Sequence, residues 1–116
     1  MRLGLIALGL GFGVALVAAG CRDLPPSKPA SEWTAQEAHG AAVFQANCSR
    51  CHNPTSTAPK QGPGLQAITK VKAMPSGAPP TDERLTATIL HGRGMMPAAS
   101  LNGDELRDLL AYLHTL

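Results

Sequence analysis

The sequence predicts an all-α domain, three to four main helices joined by long loops. Capping signals precede helically spaced apolar residues at Thr34, Thr81 and Asn102, each a place where a side-chain oxygen can satisfy the first free amides of a helix. No stretch is rich in strand-forming residues or alternates as a half-buried strand does. Ten Pro and twelve Gly in 116 residues then call for long ordered loops between a few helices.

Composition bounds the rest. A chain of 116 residues is one small domain at most. A formal net charge of +2 is too mild to argue for nucleic acid as a partner. Aromatics are 3% of residues, and beyond Phe12 they are only Trp33, Phe44 and Tyr112. So thin an apolar inventory needs a staple: a metal, disulfides or a bound group that completes the core.

Residues 1–20 read as an export signal. Arg2 supplies the positive start, Leu3 to Val17 is apolar, and Val17-Ala18-Ala19-Gly20 is a run of small residues before Cys21. A retained transmembrane span is the second reading; the segment is short for one and carries Gly4, Gly9, Gly11 and Gly13. Small residues ahead of a cysteine resemble the bacterial lipoprotein signal, with Ala18 where that pattern usually has Leu. The resemblance implies cleavage before Cys21, a lipid on its sulfur, and a mature chain held on the periplasmic side of a membrane. A soluble periplasmic product is the alternative. Residues 21–33, with Pro25, Pro26, Pro29 and Lys28, have no apolar period and read as a flexible tether. The folded domain is expected over 34–116.

Thr34-Ala35-Gln36-Glu37 is a capping box, so the first helix starts there. Ala38, Ala41 and Phe44 follow near one face, and Gly40 inside the helix suggests close approach of another element. The helix runs into Cys48-Ser49-Arg50-Cys51-His52. Two thiols three positions apart with an imidazole next are the pattern of covalent haem attachment. Each thiol adds across one of two neighbouring vinyl groups, so both sulfurs must sit on one local turn. The following imidazole is then placed to bind the iron as proximal ligand. Zinc would want a second ligand pair, which Cys21, His39, His91 and His114 do not offer by spacing. A redox Cys-x-x-Cys would sit near a βαβ pattern, and none is evident. With Cys21 assigned to lipid and Cys48 and Cys51 to haem, no cysteine is left over.

From Asn53 to Gly64 the chain reads as structured loop. Leu65, Ile68 and Val71 suggest one or two helical turns, and 70–80 is again irregular. Thr81, with Asp82 and Glu83 at the positive end of the helix dipole, opens a short helix carrying Leu85, Thr88 and Ile89; Gly92 ends it. Asn102 and Glu105 form a second capping box, and Leu106, Leu109, Leu110, Leu113 and Leu116 trace one stripe with Tyr112 beside it. His91 sits at a helix C-terminus, where the dipole favours it, and His39 and His114 read as surface helix residues.

A second axial ligand is needed to close the other face of the iron, and methionine is one that raises the potential. Met74, Met95 and Met96 remain once the leader is gone. The Gly92-Arg93-Gly94 approach lets backbone pass close to a porphyrin, and Pro97 stiffens the exit, which favours the 95–96 pair over Met74.

In this order the residues resemble the class I c-type cytochromes. Gly40 and Phe44, the Cys48–His52 motif, Gly62-Pro63-Gly64-Leu65, Gly94-Met95-Met96-Pro97 and the Leu106–Tyr112–Leu113 helix carry the resemblance, over about 34–116. It implies a small cytochrome c fold around one covalently bound haem c. It also implies Met96, the methionine before proline, as distal ligand, with Met95 as the alternative. Pro63 is implied to accept the other imidazole N–H of His52 on its carbonyl, and Gly40 to lie against Tyr112 or its neighbour. The resemblance implies an electron carrier, not an enzyme, moving single electrons between respiratory-chain redox protein partners. A fixed haem subunit of a larger oxidase or dehydrogenase is the first alternative, and a ligand-binding or peroxidatic haem the second. Arg50, Lys60, Lys70, Lys72, Arg84 and Arg93 against Asp82 and Glu83 suggest a basic rim for an acidic docking surface.

Overall fold

The computed structural model describes residues 23–116. The signal-peptide and Cys21 lipidation expectations lie outside the described residues. Within them the chain forms three α-helices: α1 (Ala35–Asn47), α2 (Asp82–His91) and α3 (Gly103–Leu113). A single 3-10 turn at Ala30–Glu32 precedes α1. Among the described residues there is no strand, only an isolated antiparallel bridge between Arg93 and Met96. The all-α expectation holds, at three helices.

Each helix starts where its side chains dictate. The Thr34 hydroxyl accepts the Glu37 amide at 3.1 Å, and the Glu37 carboxylate accepts the Thr34 amide at 2.7 Å. The same reciprocal box caps α3: Asn102 Oδ1 accepts from Asp104 and Glu105, and Glu105 accepts back from Asn102 at 2.9 Å. Thr81 caps α2 by accepting the Arg84 amide at 3.3 Å. Helix α2 stops at Gly92, whose φ of 73° turns the chain away.

The core is the crossing of α1 with α3, joined by α2. Phe44, Leu109 and Leu116 are its fully enclosed side chains, with Val43, Ile68, Leu85, Ile89, Tyr112 and Leu113 around them. Tyr112 is the hub: Trp33 meets it edge-on at 5.4 Å, and Phe44 tilts against it at 5.4 Å. Gly40 explains the close crossing. A Cβ there would run into the Asp108 carbonyl and lie 2.8 Å from Tyr112 Cβ. Beside it His39 Nδ1 donates to the buried Asp108 carboxylate at 2.6 Å, with the Arg107 guanidinium 3.7 Å away. The His39 hydrogen bond, aided by charge from Arg107, holds Asp108 below the usual carboxylate range despite its burial.

Two segments differ from expectation. The turns expected over 65–71 are present as hydrogen bonds from Ile68 to Leu65 and from Lys70 and Val71 to Ala67, but they do not form a helix. Ala67 takes φ 56°, a left-handed conformation that breaks helical continuation, and does so fully buried. The stretch ahead of α1 is bonded to the domain. Lys28 donates its amide to Thr115 at 2.6 Å and its ammonium to Glu37 at 2.8 Å. Its carbonyl accepts the Trp33 indole N–H at 3.1 Å, and Gln66 reaches the Pro25 carbonyl at 3.4 Å.

Candidate functional site

At the C-terminus of α1 the chain makes one more turn, and that turn is the Cys48–His52 motif. The Cys48 amide bonds to Phe44, and the Cys51 and His52 amides both bond back to the Cys48 carbonyl at 3.0 Å. Both thiols therefore project from one turn, as addition to neighbouring vinyl groups requires. The loop after it folds back as a brace. Gly62 donates to Cys51 at 2.9 Å, Leu65 to Asn53 at 2.8 Å, and the Lys60 ammonium to Ser49 at 2.6 Å.

His52 Nδ1 lies 2.8 Å from the Pro63 carbonyl oxygen. A carbonyl can only accept, so Nδ1 carries the proton and Nε2 keeps its lone pair for a metal. Gly62 permits this pose: a Cβ there would lie 2.5 Å from His52 Cε1 and 2.9 Å from Nδ1. Burial first, then the neighbouring Cys51, pushes the Cys48 thiol up to about 11.

Motif, loop and helices border an open cavity of about 570 Å³, within the range of about 300–1,000 Å³ usual for cofactor sites. Phe44, Leu65, Ile68, Leu85, Ile89, Leu109 and Leu113 wall it, so the face of the core is also the face of the cavity. Cys48, Cys51, His52, Met95 and Met96 all line it.

Met96 closes a two-residue hairpin. Arg93 and Met96 exchange hydrogen bonds at 3.0 and 2.9 Å, and Gly94 at φ 57° is the first central residue, the pattern of a type II′ turn. This geometry separates the methionines expected to compete. Met95 rides the tip and is 97% exposed, whereas Met96 is half-buried at the closing position. Met74 is also half-buried, lines the same cavity and packs on the core, a placement that sequence reasoning undervalued. Its turn, with Gly77 donating to Met74 at 2.8 Å, has no periodic signal that could have revealed it.

The histidines outside the motif are exposed, as expected, yet two of them have partners. His39 binds Asp108, and His114 Nε2 sits 2.7 Å from Asp82, joining α3 to the start of α2. Among the described residues no group of three or more His, Cys, Asp or Glu converges on one point, which leaves no basis there for the zinc reading. Of the basic residues, Arg93 lines the cavity, Arg50 is exposed within the motif and Lys60 is bonded next to it. Lys70 and Lys72 are exposed on the segment that leads to Met74.

Two thiols, an imidazole with a free Nε2, thioethers and apolar walls are a donor set suited to a flat, apolar, iron-bearing macrocycle. Comparison with known proteins agrees. The family model described as cytochrome c oxidase, cbb3-type, subunit III matches residues 35–113. Cytochrome c6 of Leptolyngbya boryana is 31% identical over 81 residues, covering 68% of this chain and 91% of that protein. Cytochrome c-551 of Bacillus subtilis (strain 168) is 25% identical over 114 residues, 97% of this chain and 94% of that protein. The chain belongs to this family of c-type cytochromes. It is accordingly a haem c protein, with the haem covalently bound, and an electron carrier that serves redox protein partners, not an enzyme.

Proposed function

We propose that Cys48 and Cys51 carry the haem as thioethers, that His52 Nε2 is the proximal ligand and Met96 the distal one, and that the protein relays single electrons between respiratory-chain partners. The observation that carries this reading is the His52–Pro63 hydrogen bond beside two thiols on one turn, in a cavity that Met96 also lines. Haem supplies an iron that exchanges one electron without binding substrate when both axial positions are filled. The chain's residues do the rest. Pro63 fixes the imidazole tautomer, the helical core gives the cavity an apolar wall, and the Arg93–Met96 bridge holds the thioether in place. Arg50, Lys60 and Arg93 near the cavity mouth suit an acidic docking surface, which speeds encounter more than it tightens binding.

Residues 1–20 are read as the signal, with Cys21 the lipid-bearing first residue of a chain tethered on the periplasmic side. The bonds made from Pro25 onward support a folded domain that begins ahead of Thr34, within the stretch read from the sequence as tether. The match to an oxidase subunit model favours, as second reading, a fixed haem module of a larger complex. A relative aligned over 97% of this chain favours a stand-alone carrier.

A pyridine haemochrome spectrum together with the intact mass tests the reading. One haem with both vinyls saturated, and a mass equal to 21–116 plus haem and lipid, is the expected result. Haem extractable by acid acetone would contradict the attachment, and an unmodified Cys21 would contradict the anchor. A stoichiometric partner co-purifying from detergent extract would favour the complex.

A further inference from the structure

Where the chain leaves the folded domain toward its N-terminus is a built feature. Asp23, Leu24 and Pro25 form one wall of an open groove whose other wall is Lys70, Val71 and Lys72. Gln66 reaches the Pro25 carbonyl at 3.4 Å, and Lys28 is bonded to Thr115 and Glu37, so the chain is held to the surface close to its exit point. Leu24 and Val71 are half-buried, while Lys70 and Lys72 are exposed. Lys70 Nζ is held by the Leu116 carbonyl at 2.7 Å, and Lys72 makes no hydrogen bond among the described residues.

We propose that the Lys70–Lys72 segment is a docking surface for an anionic phospholipid bilayer, which orients the domain on its membrane. The proposal rests on the reading of an N-terminal membrane tether, whether lipid at Cys21 or a retained span. Four residue steps separate Cys21 from Pro25, a reach of at most about 14 Å even when extended. A tether that short brings Lys70 and Lys72 close to the Debye length of about 10 Å at 0.1 M salt, where lipid charge is still felt. The tether supplies the local concentration, so Lys72, with Lys70 partly engaged by the Leu116 oxygen and both offset in part by Asp23, has only to bias the orientation and not to capture the membrane unaided. An acidic protein is the competing occupant, but the linker leaves it little room between this groove and the bilayer. The consequence is a division of labour. The 70–76 side, which includes the cavity wall at Met74 to Ser76, faces the membrane. The wall formed by Arg93–Met96 and the motif stays open to redox partners.

The test uses the full-chain haem protein in vesicles of phosphatidylcholine with phosphatidylglycerol, carrying a nickel chelate on headgroups. A spin label is placed at Ala73→Cys or at Asp104→Cys, the latter at the opposite end of α3, roughly 15 Å along the helix. Several-fold stronger relaxation at 73 than at 104 is expected. Lys72→Glu should shrink that difference, as should 1 M salt, which shortens the Debye length to about 3 Å. Lys70→Glu with Lys72→Glu should abolish it while the protein still sediments with vesicles. Equal relaxation at the two sites in vesicle-bound protein overturns the proposal. So does a difference indifferent to both charge reversal and salt, or charge effects seen only on turnover with a protein partner. Failure to sediment at all removes the tether reading first, and this proposal with it.

Discussion

The α1–α3 crossing and the cavity it borders share residues but are held by different means. The crossing is helix on helix: Gly40 against Asp108 and Tyr112, with Trp33 edge-on to the Tyr112 ring and Phe44 tilted against it. Its backbone groups are satisfied within helices and caps. The cavity is walled on one side by the same helices and on the others by loops whose shape depends on single hydrogen bonds, such as Gly62 to Cys51 and Arg93 to Met96. One region is over-determined by packing, and the other is a set of braces around a space. On the loop side the apolar lining is only partly covered, with Leu65, Met74 and Met96 half-buried, and a bound haem would complete that half of the core.

Perturbing the crossing should therefore cost global stability with little spectral change, and perturbing the braces should do the reverse. Gly40→Ala forces a methyl against the Asp108 carbonyl and Tyr112 Cβ. Overpacking of that kind costs about 1–3 kcal/mol, read as a lower denaturant midpoint with an unaltered haem spectrum. Gly62→Ala presses on the His52 ring, where the nearest atom would lie at 2.5 Å. It should lengthen the His52–Pro63 bond and shift the midpoint potential and the imidazole NMR signals, with a smaller loss of stability. A drop in stability as large as that of Gly40→Ala, without spectral change, would erase the distinction.

The smallest effect is confined to acid. Asp108 has its pKa lowered in the folded state by the His39 hydrogen bond, below the ordinary 3.8. A depressed carboxylate contributes stability that is present above the unfolded pKa and lost as pH falls through the folded one. Asp108→Asn should flatten the stability profile between about pH 5 and the folded pKa, while leaving the haem spectrum alone. Chemical denaturation across that window reads it out; an unchanged acid slope would mean that the His39 pair contributes nothing.

The same contrast explains what could be read in the chain. Thr34–Glu37, Asn102–Glu105 and Gly92 obey local rules, so the helices and their limits were legible. The Cys48–His52 motif stood out because covalent haem attachment demands that spacing, and the c-type cytochrome family was legible from it. Ala67 was not, since a left-handed alanine carries no residue-type signal and is held by its surroundings. Nor was the docking of Lys28 and Trp33, where prolines suggested only a tether and the partners Thr115 and Tyr112 lie far along the chain. His39 is the surface residue its position suggested, but its bond to Asp108 could not be read because that partner comes from another helix. Gly40 hinted at the crossing, but not at a buried carboxylate inside it. Met74 shows the same limit: burial against a cavity is a tertiary fact.

The central claim is that Met96, at the closing position of the Arg93–Met96 hairpin, faces the iron while Met95 rides its tip. The most direct measurement is the ferric absorption spectrum of Met96→Ala beside Met95→Ala and Met74→Ala, following the methionine–iron charge-transfer band in the far red. The account predicts that Met96→Ala alone loses the band and shows a lowered midpoint potential, since the thioether ligand raises it. Loss of the band in Met95→Ala or Met74→Ala, with retention in Met96→Ala, would contradict it.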